Sequence, residues 1–219
     1  DDEERLLPTV RSRCARLRLG PVGARDIEAL LAELDLADPP TAARLARIAG
    51  GRPGRAVALA HTSGALRARD EVARSLLDLL SERRARRLLA VRDLLTGAAE
   101  AVEAPDGAQE VAEGEPAATD APAARLPAHE RRRALAWLLE TWRDVAHDLA
   151  VVGLGGRGGL RDPGLIEELE AVASRLPAGA AGSFLARLAT AGERLEANVS
   201  PELLADALVL AWPRARAAA

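Results

Sequence analysis

The sequence predicts an all-α chain, and three observations carry that prediction. Apolar residues recur at helical spacing almost without interruption from Asp26 onward. One stripe, Leu135, Leu138, Trp142, Val145, Leu149 and Val152, keeps the spacing 3, 4, 3, 4, 3, which is about five turns of one amphipathic helix. Proline and glycine fall where helices would start and stop.

The first fourteen residues read differently. The stretch "LLPTV" is strand-like and Pro8 disfavours helix at Leu7, so a strand end and turn are expected. Ile27, Leu30, Leu31 and Leu34 then make a short helix. Ala42, Leu45 and Ile48 make a second, opened by Pro39, Pro40 and Thr41 with Thr41 as the expected N-cap, and stopped by Gly50 and Gly51. A third starts near Pro53 and runs through Ala56, Val57 and Leu59, giving a compact three-helix unit.

A longer helix is expected from about Leu66 to Leu80 with Arg67, Arg69 and Arg74 outward, and another from Glu82 towards Leu95. Ala98 to Leu126 lacks periodicity and is read as a flexible acidic insertion. After the five-turn stripe, a helix over Leu165 to Leu176 follows Asp162 and Pro163. Phe184, Leu185, Leu188 and Leu195 mark the next. In "EANVSPE", Ser200 is the expected cap and Pro201 the first residue of a last helix that buries Leu203, Leu204, Leu208 and Trp212. The second half is thus a bundle of five to six helices.

Composition narrows the class. At 219 residues and 48% hydrophobic, the chain is long enough for one or two sizeable cores. No run approaches the roughly 20 apolar residues of a spanning helix, and the charged start is unlike a signal peptide. The lone Cys14 leaves no internal disulfide or cysteine-based zinc site and fits a cytoplasmic protein. All 30 basic residues are arginine, with no lysine, which reads as codon bias of a GC-rich genome rather than as phosphate binding. The net charge of -3 hides seven acidic residues between Ala98 and Asp120; without that segment the balance is about +4, too mild to announce nucleic acid.

Candidate chemistry is sparse. "GLGGRG", Gly153 to Gly158, matches the dinucleotide pattern but follows a helix instead of a strand, so an inter-helix loop is the better reading. His61, His129 and His147 are scattered, and no metal site is expected. His147 lies near Asp144 and Asp148, where an interhelical salt bridge is the ordinary account of Asp144. Arg83, Arg84, Arg86 and Arg87 read as a solvated helix face; as phosphate contacts they would make binding salt-dependent. Arg11 and Arg13 are either surface ion-pair residues or arginines presented to a neighbour's nucleotide, where they would stabilise charge developing on the γ-phosphate.

Four stretches bear on that choice. "LLPTVRSRC" resembles the Ser-Arg-Cys region of bacterial clamp-loader AAA+ subunits, "LARIAGGRPGRAVALA" their lid, "WLLETWRDVAHDL" the Trp-Arg-Asp helix of their collar, and "AGERLEANVSPELLADALVL" the collar's closing segment. The resemblance implies that residues 1–18 end an ATPase-like α/β core, that 19–63 form the AAA+ three-helix lid, and that 64–215 form the oligomerising collar, with the insertion at about 98–126. By this resemblance Arg13 is the arginine finger acting in trans, and Ser12, Cys14, Gly51, Gly54, Trp142, Arg143, Asp144, Asn198 and Pro201 are motif or structural positions, Cys14 as a small packing residue. ATP-binding gamma or tau subunits carry a sensor-2 arginine in the lid; Gly54 stands at that position in this chain, with Arg52 and Arg55 beside it.

The resemblance therefore implies a subunit without ATP hydrolysis or a cofactor of its own, ATP and Mg being bound by the neighbouring subunit. Its implied partners are gamma or tau and delta subunits and, through the assembled hetero-oligomer, the sliding clamp and primer-template DNA, with no membrane. The alternatives are an ATP-hydrolysing gamma or tau paralogue and an all-helical scaffold unrelated to replication.

Overall fold

The computed structural model describes residues 7–15, 17, 19–62, 64–103, 127–197 and 199–216, with backbone only at 8, 11 and 100–103. Among them the chain is helical and no strand occurs. Where a strand end was expected, α1 (Pro8–Arg11) is a single helical turn. Pro8 sits at the first helical position, where its fixed φ fits and its missing N–H costs nothing. Val10 N donates to Leu7 O at 2.9 Å and Arg13 N to Val10 O at 3.1 Å. A strand needs a ladder partner for these groups, and the described residues hold none.

Helices α2 (Ala24–Glu33), α3 (Pro39–Ala49) and α4 (Pro53–His61) pack on one another around Ile27, Leu31, Ala42, Leu45, Ala46, Ala49 and Ala56. Pro39 and Pro40 fill the first turn of α3, so Asp38 and not Thr41 is its N-cap residue. The helix stops at Gly50, which is left-handed (φ 58°). Gly51 continues at φ 85°, and a Cβ there would lie 2.5 Å from Pro21 Cβ. Only glycine suits both demands. The close approach lets Val22 N donate to Gly51 O at 2.9 Å, strapping the preceding segment to this unit.

The larger bundle is built on α7 (Ala128–Gly153), which touches α5 (Ala65–Asp78), α6 (Arg84–Glu103), α8 (Ile166–Ala173), α9 (Ala180–Glu196) and α10 (Pro201–Ala211). A 3-10 turn, Pro163–Leu165, leads into α8. The expected stripe of α7 is inside: Leu135, Leu138, Trp142, Val145 and Leu149 are buried and Val152 packs at the edge. Trp142 meets Phe184 at 5.3 Å and Trp212 at 5.6 Å between ring centroids, and Phe184 meets Trp212 at 4.6 Å. Tilted and edge-on geometry of this kind adds to the burial of large rings. Ser200 caps α10 through its hydroxyl, which accepts from Leu203 N at 3.5 Å, and Pro201 is the first helical residue, as the sequence indicates.

Four expectations are corrected by the fold. Helix α6 runs past the expected break, because Ala98 and Ala99 are small enough to bury against the bundle; residues 104–126 of the insertion lie outside the described residues. Leu203 is 68% exposed, since the inner stripe of α10 is Pro201, Leu204, Ala205, Leu208 and Trp212, one position off. Arg69 and Arg87 face inward at 1% and 3% exposure. Arg87 ends in a cage of backbone carbonyls, donating to Glu82 O at 3.1 Å, Leu80 O at 3.2 Å, Trp212 O at 2.6 Å and Pro213 O at 2.8 Å. Those carbonyls sit at or just past the C-terminal ends of α5 and α10, the negative ends of their dipoles, which compensate a buried cation. No helix among the described residues is long and apolar enough to cross a membrane.

Candidate functional site

The three-helix unit meets the bundle through charged groups that the fold has buried. Asp144 and Asp148 lie one turn apart on the inner side of α7, at 1% and 2% exposure. Asp148 spends its carboxylate on backbone, accepting from Arg161 N and Asp162 N at 2.9 Å each. These two bonds pin the loop after α7 and so place Arg161 and Asp162 beneath the three-helix unit.

Asp162 is itself buried and receives two arginines. Arg69 of α5 donates at 2.5 Å, and Arg44 of α3 donates from Nε at 3.1 Å and from a terminal nitrogen at 2.9 Å. Arg44 also reaches Asp70 at 2.5 Å. Asp144 takes Arg55 of α4 at 2.8 Å, Arg161 at 3.1 Å and Arg69 at 3.5 Å. Arg55 closes the edge, pairing with Glu140 at 3.1 Å and donating to Ile48 O at 2.8 Å, while Arg52 pairs with Glu140 at 3.0 Å.

Arginines and carboxylates balance in this junction: Arg44, Arg52, Arg55, Arg69 and Arg161 against Asp70, Glu140, Asp144, Asp148 and Asp162. Burying a charge without a partner is prohibitive, so such a set is tolerated only when nearly every member is paired. Planar guanidinium forks make the pairing directional. The set draws on α3, α4, α5, α7 and one loop, so it closes in one arrangement of the two cores and fixes how they sit together.

The electrostatics agree. Burial works against the charge of Asp162, but the hydrogen bond from Arg44 and the positive charge of Arg69 outweigh it and hold the carboxyl below its ordinary range. The hydrogen bond to Asp162 likewise raises Arg44 above the ordinary arginine value, against the opposing effect of burial. Both groups are charged at neutral pH. The arrangement can hold two bodies in register.

The positions singled out from sequence separate. Asp144 lies at the centre of this network, Trp142 in the aromatic core, and Arg143 half-buried outside the network. Gly51 makes the strap to Pro21 and Val22, and Pro201 starts α10. Gly54 is the second residue of α4, where an added Cβ would meet nothing, so sterics do not demand glycine there. Arg52 and Arg55, its neighbours, are both drawn to the α7 carboxylates. Ser12 is exposed, its hydroxyl donating to Thr9 O at 3.2 Å, and Arg13 beside it is exposed.

Cys14 is exposed as well, on the turn after α1 and in neither of the two cores. Asn198 and the side chain of Arg11 lie outside the described residues. "GLGGRG" is a loop after α7, as its helical context indicates, and His147 leans on Asp148 with Nδ1 3.0 Å from Oδ1. The described residues hold no cluster of histidine, cysteine, aspartate and glutamate suited to a metal.

Sequence reasoning missed Arg44, Arg69, Asp148, Arg161 and Asp162 as a set. One signal was available. Arg69 falls on the same helical stripe as Ala65, Val72, Ala73 and Leu76, and Asp148 on that of Asp144, so charges occupied core positions. No family model, curated protein or solved structure matches the chain.

Proposed function

We propose that this chain is the lid and collar part of a bacterial clamp-loader subunit. Within that family it is the delta prime subunit of DNA polymerase III, the stator of an ATP-driven loader that opens the sliding clamp and places it on primed DNA. The observation that carries the reading is the buried arginine–aspartate junction, which ties a three-helix unit rigidly to a helical bundle through Asp144 of the Trp-Arg-Asp helix. A stator needs that rigidity, whereas an ATPase lid must move with its nucleotide.

Two further observations support the non-hydrolysing assignment. Gly54 stands where a sensor-2 arginine would, and the nearby Arg52 and Arg55 are already held by Glu140 and Asp144. Arg55 is largely buried between Glu140 and Asp144, while Arg52 is half exposed on its pair with Glu140. Arg13, exposed on the turn before the lid, is the residue assigned to a neighbour's ATP; there it would neutralise charge on the transferring phosphoryl group.

The test is assembly. The protein is mixed with gamma or tau and delta subunits and the product resolved by size exclusion with light scattering. A single ring containing one copy of this chain is expected. Entry as several interchangeable copies supports the gamma or tau alternative, and failure to enter any ring supports the unrelated scaffold.

A further inference from the structure

The end of the bundle formed by the start of α6 and the tail after α10 gathers arginines from two distant parts of the chain. Arg83, Arg84 and Arg86 open α6 and are exposed. The tail is then folded back onto them: Ala215 N donates to Leu80 O at 2.8 Å, Arg216 N to Arg175 O at 3.0 Å, and buried Arg87 grips Trp212 O and Pro213 O. Arg214 and Arg216, both exposed, are thereby brought to the same end. The positive charges of Arg214 and Arg84 both reach Arg87 and, after burial, help to push its pKa down.

Among the described residues no carboxylate lies within ion-pair distance of Arg83, Arg84, Arg86, Arg214 or Arg216. The acidic residues nearest in sequence are exposed Asp78 and half-buried Glu82. Five exposed arginines thus lie on the segments that meet at this end, and among the described residues Glu82 is the acidic group whose charge reaches Arg87 there. This differs from a solvated face of one helix, because the tail brings Arg214 and Arg216 to an end that already carries Arg83, Arg84 and Arg86.

We infer that this end of the bundle binds the phosphate backbone of double-stranded nucleic acid without reading its sequence. A protein partner is disfavoured by the lack of exposed aromatic anchors, since interface cores are depleted of charge and rich in aromatic residues; Leu89, one turn along α6, and Leu210, on the last turn of α10, are exposed aliphatic side chains near this end. Single strands are disfavoured because their binding relies on aromatic stacking: Trp142, Phe184 and Trp212 are buried, and Trp137, partly buried, lines a cavity at the junction with Arg55 and Glu140. Arginine forks on phosphates supply affinity and position, not base readout. The inference stands independently of the proposed function, since the binding assay needs no loader.

The experiment titrates the chain into a fluorescent duplex of about 20 base pairs, following anisotropy from about 50 to about 200 mM salt. With five phosphate contacts the slope of log affinity against log salt is about -4.5, a loss of about 500-fold over that range. The variant Arg83→Gln, Arg84→Gln, Arg86→Gln, Arg214→Gln leaves Arg87 untouched and should melt as the wild type does. Its slope should fall to about -1 and its affinity at low salt drop by more than about 100-fold. No binding by the wild type at low salt, or equal binding by the variant, overturns the inference. So does an acidic peptide of matched charge that displaces the duplex at lower concentration than unlabelled duplex does, which would identify the patch as a protein-binding one.

Discussion

Replacing Asp144 by Asn keeps the volume of the side chain and removes its charge, so no cavity contributes to the result. Three guanidiniums lose a carboxylate, but not equally. Arg55 retains Glu140 and Arg69 retains Asp162, whereas among the described residues the side chain of Arg161 has no other carboxylate within ion-pair distance. Breaking a buried pair costs about 3–5 kcal/mol when it strands a charge. With two of three arginines still paired, the lower end applies, about 3 kcal/mol. For a chain of this size that is a fall in Tm of about 6–12 °C.

Urea unfolding followed by tryptophan fluorescence reads this directly, because Trp142 and Trp212 sit in the bundle core and Trp137 packs at its edge. Hydrogen exchange then locates the damage, which should fall on α2, α3 and α4 rather than on the bundle interior. Asp144→Asn combined with Arg55→Gln should cost less than the two changes separately, with a coupling of about 1 kcal/mol or more. A loss below about 1 kcal/mol for Asp144→Asn is the behaviour of exposed pairs, and it would refute the claim that this junction locks the two cores.

Four further outcomes are expected. Trp142→Ala removes a fully buried ring from contact with Phe184 and Trp212 and should cost about 3–5 kcal/mol by thermal or urea melts. Gly51→Ala should destabilise by about 1–3 kcal/mol, because φ 85° strains alanine and its Cβ would collide with Pro21. Gly54→Ala, in open helix, should be neutral or stabilise by about 0.5 kcal/mol. In acid, the depressed Asp162 carboxyl takes its proton later than the unfolded chain does. Its contribution is therefore full above about pH 4, the ordinary carboxylate range, and lost as pH falls through the lower folded value; Asp162→Asn should flatten that part of an acid melt.

What the sequence made legible depended on whether one physical rule acted alone. Helix α7 was plain because burial alone set its apolar spacing, and the end of α3 because left-handed backbone at Gly50 and Gly51 requires glycine. The turn at Ser200 and Pro201 was plain for the same reason, a cap and an N-terminal proline acting locally. Where long-range pairing overruled local preference, the reading failed. Arg69 and Arg87 were expected outside because isolated arginine belongs in water, yet each meets partners far along the chain: Asp162 and Asp144 for one, the carbonyls after α10 for the other. Pro8 pointed to extended backbone before it, but a proline also opens a helix after it, and only the latter governs α1. Ala98 looked like the start of a featureless segment because alanine carries little hydrophobic signal, though its size is what lets α6 pack so closely.

In the proposed function, Arg13 completes the ATPase site of a neighbouring subunit. The direct measurement is ATP hydrolysis by a loader reconstituted with this protein, sliding clamp and primed DNA, comparing wild type with Arg13→Ala. Arg13 is exposed and packs in neither core, so the substitution should change stability by less than about 0.5 kcal/mol and leave assembly intact. Hydrolysis at the one site that Arg13 completes should fall by about 10³-fold or more, as loss of an arginine finger does, so the ring should lose that site's share of turnover and the clamp loading that depends on it. Unchanged hydrolysis and clamp loading in a ring that still contains the variant would contradict the claim.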